Sequence, residues 1–88
     1  MGKDLPKGNE KILAAIEEKF AMGYGSHKLA LCFGTVNGGV DEDEGYYLAN
    51  INGWGTTPVT ELICTDGEVD DDALISVLRE MGIKHYIK

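Results

Sequence analysis

The chain has 88 residues, 15 Asp and Glu against 8 Lys and Arg, a net charge of −7 and 43% apolar residues. That length permits one domain with a small core, in which about 60 to 65% of the unfolded surface is buried, and the apolar content excludes a disordered chain. No apolar run approaches the roughly 18 to 20 residues of a membrane span, and Met1 to Gly8 lacks the hydrophobic stretch of a secretory signal. The composition therefore predicts a soluble, cytoplasmic protein that folds unaided or as a small homodimer.

The first predicted element is a helix over residues 9–22, with Ile12, Leu13, Ile16 and Phe20 spaced onto one face. Asn9 is placed to cap its start, and Gly23 to take the left-handed turn at its end. Residues 28–36 alternate Leu29, Leu31 and Phe33 with Ala30, Cys32 and Gly34, the pattern of a strand with one bulky and one flat face. Residues 45–51 and 59–65, rich in aromatic and β-branched side chains and bounded by Gly, Asn and Pro, predict two further strands. The acidic run and residues 52–58 read as the loops between antiparallel neighbours.

Asp66-Gly67 marks a turn, after which Asp70 or a neighbour caps a second helix running to Met81. Its inner face is Ala73, Leu74, Val77, Leu78 and Met81. Gly82 ends that helix, Ile83 folds back over its last turn, and His85-Tyr86-Ile87 forms a short last strand. Residues 1–88 thus make a single α+β domain of α-β-β-β-α-β order. A three-stranded antiparallel meander and a short C-terminal strand are packed by two helices.

The acidity is confined to the middle of the chain. Residues 29–72 hold ten acids and no Lys or Arg, whereas residues 1–28 hold five Lys against four acids. Asp41-Glu42-Asp43-Glu44 is the densest part. As a calcium loop it fails: counting from Asp41, the glycine position falls on Tyr46 and the closing glutamate on Asn52. Counting from Asp66 places Asp71 and Val77 there. His27, His85, Cys32 and Cys64 offer no short-spaced zinc pair, so no metal and no cofactor are expected.

Catalytic signals are weak. Cys64 would need a histidine neighbour, which His85 supplies only if the third and fourth strands adjoin, and the surrounding carboxylates oppose a thiolate. Glu61 and Asp66 as an acid and base pair carry almost no information in so acidic a chain. Gly23-Tyr24-Gly25-Ser26 follows a helix and precedes a strand, the reverse of a phosphate-binding order, and Gly34 to Gly39 lacks a P-loop lysine. The protein is expected not to be an enzyme.

Asp70-Asp71-Asp72 finds its role at a helix start, where carboxylates cap free amides and complement the helix dipole. Asp41, Glu42, Asp43 and Glu44 have no such local role beyond keeping a loop wet. With Tyr46, Tyr47 and Trp54 beside them they make the candidate partner-binding set, since exposed Trp and Tyr are enriched at interfaces. Alternation sends Tyr46 and Tyr47 to opposite faces, so at least one of them is expected near solvent, and the core can claim part of the aromatic set.

A surface of this charge suits a basic partner, such as the nucleic-acid cleft of a protein complex, and disfavours direct contact with nucleic acid or membrane. In composition and charge distribution alone the chain is similar to phage-encoded inhibitors of bacterial defence, including anti-CRISPR and anti-restriction proteins. That likeness implies an inhibitor and transfers no fold and no residue. Two other functions fit the same residues. One is a small-molecule binder or minor enzyme with a pocket lined by His85, Cys64 and Tyr86. The other is a regulatory or immunity-type subunit whose acidity serves solubility.

Overall fold

The computed structural model describes residues 6–35, 44–53, 55–83 and 85–87. The elements are α1 (Lys7–Ala21), β1 (Leu29–Gly34), β2 (Gly45–Asn52), β3 (Gly55–Pro58), α2 (Asp71–Glu80) and β4 (His85–Ile87), with short 3-10 turns at Ser26–Lys28 and Asp66–Glu68. The strands form one sheet of order β3-β2-β1-β4, antiparallel except for β4, which runs parallel to β1. The α+β architecture predicted from the sequence is the one observed.

Both helices lie on the bulky face of the sheet. Ile12 and Ile16 of α1 and Leu74 and Leu78 of α2 meet Leu29, Leu31, Tyr46 and Leu48, and all eight are essentially removed from water. Register explains the match, because Leu31 pairs with Leu48 and Phe33 with Tyr46, aligning the large residues of β1 and β2 on one side. The rings of Phe33 and Tyr46 meet edge to face at 5.1 Å. The opposite face carries a second, smaller cluster of Ala30, Cys32 and Ala49, with Tyr47 and Ile51 packed against it.

Both helices end as their sequences dictate. Gly23 and Gly82 take positive φ values of 104° and 83°, which L side chains rarely adopt. The next amide then reaches back in each case: Tyr24 N–H to the Lys19 carbonyl at 3.1 Å, and Ile83 N–H to the Leu78 carbonyl at 2.9 Å. This brings Ile83 into the core.

The start of α1 differs from expectation. Pro6, whose ring fixes φ near the helical value, precedes the first turn, and the helix begins at Lys7. Asn9 is therefore inside the helix and does not cap it. Its side chain, 1% exposed, donates from Nδ2 to the Asp70 carbonyl at 3.2 Å and accepts from the Asp70 amide at 2.9 Å. This two-point clasp joins the start of α1 to the start of α2. Close approach there also explains Gly8: a Cβ at that position would lie 2.5 Å from the Glu68 carbonyl oxygen and 2.9 Å from Val69 Cγ2. Gly8→Ala is expected to lower stability by about 1 to 3 kcal/mol despite alanine's higher helix propensity, a loss read as a fall in thermal midpoint.

The third strand is also displaced. β3 occupies Gly55–Pro58, inside the predicted loop, while residues 59–65 are irregular apart from one bridge between Tyr46 and Cys64. Ala49 faces Pro58, so an unbroken ladder would set Tyr46 opposite Glu61; it faces Cys64 instead, three residues later. Pro58 has no amide hydrogen to continue the ladder. Beyond it, Val59 N–H reaches the Leu48 carbonyl at 2.9 Å, and the Thr60 hydroxyl replaces a backbone acceptor for Leu48 N–H at 3.0 Å. The chain loops out over Glu61 and Leu62 and rejoins β2 at Ile63 and Cys64.

Candidate partner-binding surface

That excursion shapes the surface beside the acidic run. Gly45 opens β2 with so little room that a Cβ would lie 2.5 Å from the Cys64 carbonyl oxygen and 3.6 Å from Leu62 Cδ2. Glu44, the residue before it, is exposed, as is Glu61, the residue before Leu62. Leu62 itself is 36% exposed, one of two large apolar side chains so open to solvent among the described residues. An accessible leucine thus sits beside the backbone of Gly45, with a carboxylate-bearing neighbour on each of the two chain segments.

The remaining acids of the middle segment divide by what they touch. Glu68 accepts from the Thr65 amide at 3.0 Å and the Thr65 hydroxyl at 3.1 Å, which hold its carboxyl below the usual range, with Lys11 Nζ adding a contact at 3.8 Å. Asp70 caps α2, its side chain accepting from the Ala73 amide at 3.3 Å. Asp71 Oδ1 accepts two phenol hydroxyls, Tyr46 at 2.8 Å and Tyr86 at 2.9 Å. Those three carboxylates are engaged within the fold. Glu44, Glu61 and Asp72 are exposed and make no hydrogen bond or ion pair to other described residues.

The predicted site residues are accordingly separated. Tyr46 is completely buried, its ring in the core and its hydroxyl on Asp71, so it supplies no surface contact. Tyr47 lies half-buried on the opposite face beside Cys32, with its phenol pKa raised first by burial and then by that thiol. Asp41, Glu42, Asp43 and Trp54 lie outside the described residues; Asp43 is joined directly to Glu44 by the chain. Leu62 escaped the sequence reading because its neighbours Val59, Ile63 and Cys64 pointed to a regular half-buried strand.

The thiol chemistry weighed from sequence does not assemble. β4 borders β1 at the edge away from β3, so the third and fourth strands are not neighbours. Cys64 is buried, with Sγ 3.7 Å from the Gly8 carbonyl oxygen, and its pKa is raised by burial and by Glu68. Burial likewise pushes the Cys32 thiol up, against a smaller opposite effect of Tyr47. Both cysteines are free, and at neutral pH both are protonated.

Two surface clefts flank these features. One of about 340 Å³ is lined by Pro6, Lys7, Gly67, Glu68 and Val69. The other, about 250 Å³, is lined by Ile75, Leu78, Arg79, Ile83 and Tyr86. Cys64 lines neither. Among the described residues no group of three His, Cys, Asp or Glu is arranged to hold a metal ion, and no helix is long and apolar enough to cross a membrane. Compared with known proteins, the chain matches no protein-family profile, no curated protein and no solved structure.

Proposed function

We propose that the protein is a non-enzymatic interaction module that docks its acidic surface on a basic protein, covering a region that otherwise holds nucleic acid. The observation that carries this reading is the exposed Leu62, which follows the exposed Glu61 and lies against Gly45, whose chain neighbour, the exposed Glu44, closes the Asp41–Glu44 run. Carboxylates steer the encounter at long range, and an apolar side chain excludes water once contact is made. In this reading Leu62 takes the role that sequence assigned to Tyr46, while Tyr47 and Trp54 remain candidates for the rim. The resemblance in charge pattern to anti-CRISPR and anti-restriction inhibitors supports the same class of partner.

The test is capture from a lysate of the protein's own host on the immobilised protein, with elution by a salt gradient. Nucleic-acid-binding proteins are expected to be retained at low salt and released as ionic strength approaches about 0.5 M, where charges beyond a few ångströms are screened. Converting Asp41, Glu42, Asp43 and Glu44 together to amides should abolish capture, and Leu62→Ser should weaken it, moving release to lower salt while leaving the slope of the salt dependence unchanged. Equal capture by the amide variant, or release indifferent to salt, would refute the proposal.

A further inference from the structure

The outward side of α2 is patterned for a copy of itself. Asp72, Ser76 and Arg79 are exposed and Ile75 half-buried, and their spacing of three and four residues places them in one stripe along the helix. Arg79 is the sole positively charged residue between positions 29 and 83. Its helical neighbours three and four residues back are Ser76 and Ile75, so no carboxylate lies within reach on that side. Among the described residues Arg79 makes no ion pair. It stands instead at the wall of the 250 Å³ cleft formed with Ile75, Leu78, Ile83 and Tyr86, between α2 and the edge strand β4.

A guanidinium with no ion pair among the described residues, beside an apolar cleft, favours an occupant that brings both a carboxylate and an aliphatic side chain. The stripe contains both. Read from its N-terminal end it runs acid, aliphatic, hydroxyl, base. Laid antiparallel against a second copy about a two-fold axis, Asp72 of each helix meets Arg79 of the other, and Ile75 of each falls beside Ser76 of the other at the centre. A two-fold repeats every contact, so one pattern forms two ion pairs around the two Ile75 side chains, each next to an apolar cleft. A parallel arrangement would set like charges together. The stripe is neutral as a unit, so two molecules of net charge −7 meet here without bringing uncompensated carboxylates into contact.

We propose that this stripe of α2 and its cleft form a homodimer interface. It uses none of Glu44, Glu61 and Leu62. A ten-residue helix is only about 15 Å long, which places the contact among the smaller specific interfaces and predicts a dimer that dissociates on dilution.

Sedimentation equilibrium from about 1 µM to about 1 mM tests this directly, the range in which weak interfaces dissociate. The mass should rise from that of the 9.6 kDa monomer towards twice that value. Arg79→Glu or Asp72→Arg alone should weaken the dimer at least about tenfold, because the two-fold repeats each repulsion. The combined Asp72→Arg, Arg79→Glu exchange should restore association to within about threefold, since it recreates the pairs with their signs reversed. Arg79→Gln, which keeps helix propensity and removes the charge, should give an intermediate loss in a variant whose folding is checked by circular dichroism. A monomer mass at the highest concentration, single reversals without effect, or an exchange that fails to restore the dimer would each overturn the proposal.

Discussion

Asp71→Ala is expected to destabilise the protein by about 2 to 4 kcal/mol, a large part of the roughly 5 to 13 kcal/mol available to a domain of this size. The carboxylate receives two phenol hydroxyls, and Tyr46, one of the donors, has no access to water. The two hydroxyl oxygens stand 3.2 Å apart, so without Asp71 one can turn to the other and replace part of what is lost. Hydrogen bonds to a charged group contribute about 1.5 to 3 kcal/mol each, and one partial replacement lowers the sum. Asp71→Asn, which keeps an acceptor oxygen at the same place, should cost less than half as much. Urea denaturation measures both, and equal losses in the two variants would show that the charge itself, rather than the acceptor, is what the tyrosines require.

The same cluster contributes to the loss of stability at alkaline pH, as do the two buried thiols and Tyr47, whose ionisations are also raised. Tyr86 is held protonated well above the ordinary tyrosine range, first by burial and then by its hydrogen bonds to Tyr46 and Asp71. The unfolded chain releases that proton near pH 10 and the folded chain does not, so above this pH the unfolded state binds fewer protons. Stability from this group is complete below about pH 10 and declines as pH rises towards the folded-state ionisation. Tyr86→Phe should flatten that decline while lowering stability at neutral pH.

Leu31→Ala should produce the largest loss of any single substitution considered, about 3 to 5 kcal/mol, through deletion of buried methyl groups and the cavity left behind. Leu31 is at the centre of the sheet, paired with Leu48 on one side and Tyr86 on the other, and fully buried. Rigid strands flank it on both sides, so collapse around the void is restricted. Leu31→Met, close in volume, should cost under about 1.5 kcal/mol, and a comparable loss for both would mean that side-chain shape rather than volume decides packing here.

The parts of the fold that could be read from sequence are those whose cause is local. Gly23 and Gly82 stop their helices through backbone geometry that no other residue supplies as easily, Ile83 folds back as the same motif requires, and Asp70 caps the helix that follows it. The bulky and flat faces of β1 were visible as alternation, although alternation alone does not say which face the helices cover. What sequence concealed depends on partners far along the chain. Asn9 has the chemistry of a cap, but its bonds go to Asp70, 61 residues away. Residues 59–65 are apolar because Val59, Ile63 and Cys64 pack into the core, not because they continue a ladder. A strand's sequence carries no mark of parallel pairing, so the direction of β4 was not legible.

The candidate surface followed the same division. Opposite fates for Tyr46 and Tyr47 follow from strand periodicity, whereas the burial of Tyr46 in particular required the register with Phe33 and the reach of its hydroxyl to Asp71. Local chemistry foretold that Asp70 would be engaged at a helix start. Leu62 became accessible only through the three-residue excursion, which no local pattern announces.

That excursion also bears on how the protein behaves when concentrated. The outer margin of the sheet on the β3 side offers a neighbouring molecule three consecutive residues, Gly55 to Thr57, then a proline, then a detour. Fibril growth needs a long, flat row of free amides and carbonyls to copy, and an interrupted row with carboxylates beside it is a poor template. On that side the sheet should accordingly be a poor seed for amyloid, where a straight, uninterrupted margin would template it.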